Sequence, residues 1–180
     1  EDGDGTNPTV ISANGEFKSH VYYIPEHCLE ECEVEVSCET AWAKGDNAVC
    51  FLGIQNITGN NWGWTQQISD GESFNWPIWG GAGQCDTDKG KQAGYLEVSY
   101  SGGQLTANFV GENGFTFDDT HLWVGTTMLP QKNNGKYVSA PGQFPYSGEL
   151  NFTVDVEGAP ATVWVAAHSG ETCGDYGDDD

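Results

Sequence analysis

Residues 95–110 read YLEVSYSGGQLTANFV, and this stretch decides the fold. Apolar and polar residues alternate on both sides of the central glycine pair, as with Leu96, Val98 and Tyr100 before it. A period of two places one strand face against a core and the other in water, and a glycine pair between two such runs is typical of a hairpin. The stretch therefore predicts two antiparallel strands.

Strand patterns of this kind recur along the chain, and no stretch shows helical spacing. The other candidate strands are FKSHVYYI (17–24), EVEVSC (33–38), AVCFLGI (48–54), HLWVGTT (121–127), ELNFTVDV (149–156) and TVWVAAH (162–168). Most of the 25 glycines and 7 prolines fall between these runs. Many short strands with regular turn signals predict an all-β fold, a single antiparallel β-sandwich of jelly-roll or immunoglobulin-like type.

The sandwich is expected to occupy residues 37–173. Residues 1–36 are an N-terminal extension, consisting of an acidic tail and either an extra hairpin or an arm that pairs with the sheet of a neighbour. Residues 174–180 are a second acidic, glycine-rich tail, whose composition does not supply enough apolar surface for a packed core.

The chain carries 27 acidic and 6 basic residues, for a formal net charge of −21. A field of this sign repels nucleic-acid phosphates and anionic lipids, so nucleic acid is not expected as a partner. No apolar run approaches the ~18 residues that a membrane span needs, so no membrane insertion is expected. Because the chain begins without a signal-like segment, we predict that an upstream signal has been removed.

An even set of cysteines predicts a disulfide framework. The cysteines are Cys28, Cys32, Cys38, Cys50, Cys85 and Cys173. Their spacing fits neither paired CxxC metal knuckles nor a redox CxxC motif, so three disulfides in an oxidising compartment are expected. Of the many possible pairings, we favour 28–32, 38–50 across a hairpin, and 85–173. The prediction is a secreted or cell-surface protein.

Ordered motifs cover most of the expected sandwich. They are CETAWA (38–43), NWGWT (61–65), GGAGQCD (80–86), DTHLWVG (119–125), APGQFPY (140–146) and VAAH (165–168). Together they resemble an uncharacterised module of exported bacterial surface and matrix proteins, over about residues 37–173. Trp42 departs from the phenylalanine usual in that module, and residues 1–36 are unmatched. The resemblance implies an exported β-rich module and supplies no catalytic residues.

His121 and His168 stand at opposite ends of two apolar candidate strands. One interpretation is a metal pair completed by Asp118 or Asp119, since imidazole nitrogen and carboxylate oxygen are common zinc ligands. The interpretation we favour is two buried imidazoles, each hydrogen-bonded to the backbone.

Trp76 and Trp79 flank Pro77, which a regular central strand does not accommodate, so we expect the two indoles to be exposed. Flat aromatic rings beside amide side chains form a surface that suits sugar rings. Asn75 and Gln84 supply such amides. These two amides and the two tryptophans are the candidate ligand-binding residues.

Calcium, which takes carboxylate and carbonyl oxygens, is the candidate cofactor of so acidic an extracellular chain. Asp86 and Asp88 precede Gly90 as in the first half of a cation loop, without the downstream glutamate of an EF-hand. Asp118 and Asp119 are a second candidate pair.

Two tripeptides match the N-glycosylation acceptor, NIT at 56–58 and NFT at 151–153. Asn56 is expected in a loop. Strand alternation is expected to point Asn151 outward.

No GxSxG serine, free cysteine or Ser–His–Asp arrangement can be recognised, so enzymatic activity is disfavoured. The N-terminal extension and the charge favour a non-catalytic structural or adhesive subunit of an extracellular matrix, sheath or filament. Its partner would be a second copy of itself, joined by strand pairing and calcium. The alternative is a carbohydrate-binding module whose partner is an extracellular glycan.

Overall fold

The computed structural model describes residues 36–177. The predicted strand at 17–24, most of the one at 33–38, and the predicted bond between Cys28 and Cys32 lie outside the described residues.

Strands dominate the described chain. They are β1 (Ser37–Ala43), β2 (Val49–Cys50), β3 (Ile57–Thr58), β4 (Trp64–Ser69), β5 (Glu72–Gly80), β6 (Lys91–Ser101), β7 (Gln104–Gly111), β8 (Thr116–Gly125), β9 (Tyr137–Val138), β10 (Tyr146–Ser147), β11 (Asn151–Asp155) and β12 (Thr162–Gly174). The helices within residues 36–177 are short 3-10 turns, at Phe51–Gly53, Gly83–Cys85, Thr87–Lys89 and Pro141–Gln143. None of them is long and apolar enough to cross a membrane.

Ten strands form one sheet, with the path β10-β8-β12-β1-β5-β6-β7-β11. The sheet branches at β12. One edge of β12 pairs with β8, whereas the other edge pairs first with β4 and then with β1. β2 adds to β4, and β3 and β9 form a separate parallel pair. The hairpin predicted at 95–110 is present as β6 and β7.

Alternation along the strands divides the buried side chains between the two faces of the sheet. On β12, Val165 and Ala167 enter one cluster, which we call the inner core, while Ala166 enters another, the outer cluster. The inner core joins side chains of β6, β7 and β11 to those of β4, β8 and β12, including Tyr100, which is fully buried. Two strand layers enclosing one core make this an all-β, disulfide-stapled sandwich, as predicted.

The outer cluster lies on the opposite face of the same strands. Its buried members are Trp42, Phe51, Ile54, Trp64, Ala82, Leu129, Phe144 and Ala166. Phe51 belongs to a 3-10 turn and not to the strand predicted at 48–54, which ends at Cys50. The turn places the Phe51 ring against Trp42, edge to face, with ring centroids 4.9 Å apart.

Pro77 lies inside β5, contrary to the expectation that it excludes a paired strand. The Pro77 carbonyl accepts a hydrogen bond from the Lys44 N–H at 2.9 Å. Because the N–H and C=O of one strand residue point to the same neighbour, the N–H that proline lacks would face β1, which has already ended at Ala43. The pairing of Pro77 with Tyr95 on β6 is unaffected.

Two disulfides staple the described domain. Cys38 is bonded to Cys173 across β1 and β12, and Cys50 is bonded to Cys85. The predicted pairs 38–50 and 85–173 are therefore wrong. The error came from assuming a hairpin between Cys38 and Cys50, since β1 pairs with β12 and β5 whereas β2 pairs with β4. Such bonds persist in oxidising compartments.

Candidate functional site

Trp76 and Trp79 do not form one exposed surface. Trp76 is only 6% exposed and belongs to the inner core, whereas Trp79 packs against the outer cluster. The register of β5 against β6 shifts between Ile78 and Trp79. The expected pair of exposed indoles is therefore wrong, because β5 is buried on both faces at this point. Gln84, exposed in a 3-10 turn with φ of 61°, lies beyond the end of β5.

Trp76 nevertheless forms the wall of a groove, which we call the β5 groove. The groove has a volume of about 160 Å³ and is lined by Gly45, Asp46, Asn47, Gln66, Gln67, Phe74, Asn75, Trp76 and Pro77. Phe74 and Trp76 are stacked, with ring centroids 5.8 Å apart and planes 14° from parallel. Phe74 is 41% exposed, so it is the ring that solvent reaches. Of the predicted ligand-binding residues, the groove contains Asn75 and Trp76.

The amide side chains of the groove differ in what they bind. Gln66 is buried, and its Oε1 accepts a hydrogen bond from the Gly45 N–H at 3.0 Å while its Nε2 donates to the Val165 carbonyl at 3.4 Å. These bonds fix Gln66 as part of the domain. The exposed amides of Asn47, Gln67 and Asn75 are the ones that a ligand could reach.

Asp86 and Asp88 form a closed turn. One Asp86 carboxylate oxygen accepts a hydrogen bond from the Asp88 N–H at 3.2 Å, and the other lies 3.4 Å from the Lys89 ammonium. The hydrogen bond caps the short 3-10 helix Thr87–Lys89, and the ion pair occupies the second oxygen of Asp86. Calcium binding here stays a prediction.

Asp118 and Asp119 form an irregular step in β8. The Asp118 carboxylate accepts a hydrogen bond from the Asp119 N–H at 2.7 Å, and Asp119 has a left-handed φ of 48°. In residues 36–177, no group of three or more His, Cys, Asp or Glu side chains is arranged to hold a metal ion. The turn directs Asp119 toward His121, with 3.8 Å between Oδ1 and Nε2.

His121 and His168 are brought together by the sheet. They are opposite each other in register on β8 and β12, and their ring centroids are 5.6 Å apart. The expectation that each imidazole bonds to the backbone fails at Nδ1, because both Nδ1 atoms are buried without a hydrogen-bond partner in the described part of the chain. The sequence signal for this proximity is the pair of apolar runs at 121–127 and 162–168. Antiparallel pairing of these two runs brings the first residue of one, His121, beside the last residue of the other, His168.

Burial sets the protonation of His168. Its pKa is lowered to about 3, mainly because desolvation penalises the imidazolium and secondarily because of the charge of His121. His168 is therefore neutral at physiological pH. Its other neighbour is the Trp42 indole, whose centroid lies 4.5 Å from that of the imidazole.

Both glycosylation acceptors are accessible. Asn56 is exposed in a turn with φ of 59°, and Asn151 is exposed at the start of β11 while Phe152 is buried. The outward orientation predicted for Asn151 is confirmed. Whether either asparagine carries a glycan stays a prediction.

The described domain thus offers a strand edge at β11, an aromatic and amide groove on β5, and a histidine pair between β8 and β12. Comparisons with protein-family models, with curated proteins and with solved structures gave no match.

Proposed function

We propose that the chain is a non-catalytic extracellular structural subunit that assembles with its own copies by strand pairing at β11. The observation that carries the proposal is the open edge of this strand. β11 ends the path of the sheet, and among residues 36–177 it pairs with β7 alone. Unpaired edge groups readily accept a further strand.

The register shows which backbone groups face outward. Phe109 N–H donates to Leu150 O, and Val156 N–H donates to Gly103 O. Along an antiparallel ladder, every second residue of a strand forms hydrogen bonds to a given neighbour. The residues that bond to β7 are therefore 150, 152, 154 and 156. The N–H and C=O groups of Asn151, 153 and 155 therefore point away from β7, toward the open edge.

The β11 edge lacks the usual protection against pairing. It has no proline, lysine or bulge, and Asp155 is its only charged residue. The other long outer strand, β8, is interrupted by the left-handed Asp119 and covered by β10 at His121 and Leu122. β11 is therefore the edge more open to a partner.

The occupant that fits this edge is the segment FKSHVYYI, residues 17–24, from a second copy. The segment has strand character and contains Lys18 and His20 but no acidic residue, although the chain has 27 acidic residues. Asp155 and the exposed Glu149 flank the edge it would join. Residues 25–36 span at most ~40 Å when extended, which sets the distance over which the segment could reach a second copy.

Assembly of a chain with net charge −21 requires screening of the repulsion between copies. We therefore expect calcium, or another divalent cation at higher concentration, to promote assembly. Removing cations with a chelator should reverse it.

Sedimentation of the full chain, with calcium and with chelator, tests the proposal. Thr153→Pro removes an outward N–H without touching the β7 ladder and should abolish assembly. Thr153→Val is the matched control, since it also destroys the glycosylation tripeptide but keeps the N–H. A chain beginning at Ser37 should stay monomeric. Monomers of the full chain under all conditions, or assembly unaffected by Thr153→Pro, would contradict the proposal.

A second candidate function is carbohydrate binding at the β5 groove. It is favoured by the exposed Phe74 ring stacked on Trp76 beside exposed amide side chains, the combination that holds sugar rings. A glycan array is the test. Phe74→Ala should remove any signal, whereas Leu150→Ala, which truncates an equally exposed apolar residue elsewhere, should keep it. An array without signal for the unmodified chain contradicts this function.

A further inference from the structure

The spacing of His121 and His168 suits one shared ion. An imidazole nitrogen lies about 1.1 Å from its ring centroid and about 2.05 Å from a bound zinc ion. Two rings that share an ion at a tetrahedral angle therefore have centroids about 5.1 Å apart. The observed separation is 5.6 Å. Rings opposite each other on neighbouring strands are held at this distance by the sheet itself.

The two imidazoles also carry unused ligand atoms. Neither Nδ1 has a hydrogen-bond partner in the described part of the chain, and a buried polar atom without a partner costs roughly 1–3 kcal/mol. His168 is only 7% exposed. Imidazole nitrogen is a common zinc ligand.

Asp119 lies at the other ring nitrogen of His121, where a carboxylate commonly orients a metal-binding imidazole. Its Oδ1 is 3.8 Å from the His121 Nε2. The opposing residue on β12 is Gly170, and a Cβ there would overlap the Asp119 carboxylate. The glycine thus keeps open the space that this carboxylate occupies beside the pair.

We propose that His121 and His168 bind one divalent first-row transition-metal ion that prefers imidazole, Zn²⁺ or Cu²⁺, through their Nδ1 atoms, and that the Asp119 carboxylate orients His121 from its Nε2 side. These ions are selected over calcium because imidazole nitrogen suits them, whereas calcium takes oxygen. The His121 side chain is 12% exposed, so it is the more accessible of the two imidazoles. The proposal is independent of strand assembly.

Titration of the full chain with Zn²⁺ by calorimetry, together with Cu²⁺ paramagnetic resonance, tests this site. The resonance spectrum should show coupling to two imidazole nitrogens. His121→Gln and His168→Gln should each weaken Zn²⁺ binding at least about 10-fold, because changes to residues behind a metal ligand already cost that much. Asp119→Asn should weaken binding less than either.

The matched control is the double variant His20→Gln/His27→Gln, which also removes histidines but leaves the pair intact, and it should bind like the unmodified chain. Near-ultraviolet circular dichroism checks that each variant is folded. His121 is the less buried of the two histidines, so His121→Gln decides the test if His168→Gln is unfolded. A spectrum with oxygen ligands only, or unchanged affinity in His121→Gln, overturns the site. Unchanged affinity in Asp119→Asn overturns the role of that carboxylate.

Discussion

Gly63 leaves the space in which the Trp42 indole packs. A Cβ at Gly63 would lie 2.6 Å from two indole atoms of Trp42 and 2.8 Å from the Phe51 ring. Gly63 also has a φ of 148°, which side-chain-bearing residues rarely adopt. The outer cluster therefore depends on the absence of a side chain at this one position.

Gly63→Ala is expected to destabilise the domain by about 2–4 kcal/mol, because neither the indole nor the backbone can relieve the overlap cheaply. Urea denaturation measures the change. Gly53→Ala is the control, since a Cβ there meets nothing within 4 Å, and its effect should be small. Equal stabilities of the two variants would show that the outer cluster is loosely packed.

Trp76→Ala is expected to cost about 3–5 kcal/mol of unfolding free energy, as for other large buried aromatic residues. Phe74→Ala should cost about 1 kcal/mol or less, because Phe74 is far more exposed. Chemical denaturation of both variants gives the comparison. A similar cost for the two would mean that Trp76 is not part of the inner core.

The two disulfides are expected to differ in their contribution. Cys38–Cys173 joins residues 135 apart, whereas Cys50–Cys85 joins residues 35 apart. In the chain-entropy account, removing the first by a double alanine substitution costs about 5 kcal/mol and removing the second about 4 kcal/mol. Denaturation under oxidising conditions measures both. Peptide mapping without reductant should recover these linkages, and recovery of 38–50 or 85–173 would refute them.

Acid should unfold the metal-free domain partly through His168. Its pKa is about 3 in the folded protein and about 6.5 when unfolded, so the unfolded chain binds more protons between these values. Stability contributed by neutral His168 is full above pH 6.5 and is lost as the pH falls, by up to about 1.4 kcal/mol per pH unit.

The measurement is the free energy of unfolding against pH in the presence of chelator, compared with His168→Gln. Other acid-sensitive groups are common to both chains, so the difference isolates His168. Parallel curves for the two proteins between pH 6 and pH 4 would contradict this role.

The alternation of apolar and polar residues predicted the strands that have one buried face and one solvent-exposed face. β6 and β7 follow the pattern of residues 95–110, and β11 has the expected order of buried Phe152 and exposed Asn151. The strand β5 was not predicted, because proline is normally excluded from strands that are paired on both sides. Pro77 fits into β5 because β1 ends at Ala43. The end of β1 is a tertiary feature that local sequence does not encode.

The candidate sites depend on which strands pair and in what register, so they were less predictable from sequence than the strands themselves. His121 and His168 are 47 positions apart in sequence, and only the register of β8 with β12 places them side by side. The disulfide partners depended on the same topology. In contrast, the exposure of Asn151 needed only the alternation of its own strand.

Ser37 and Gly174 lie opposite each other at the ends of β1 and β12, and the Cys38–Cys173 bond lies one residue inside them. Tension applied between these two positions passes through the covalent bond and leaves residues 39–172 unloaded. Without the bond, the same pull would open the hydrogen bonds between β1 and β12 one after another, as in a zipper. The disulfide converts the mechanically weakest direction of pull into a strong one.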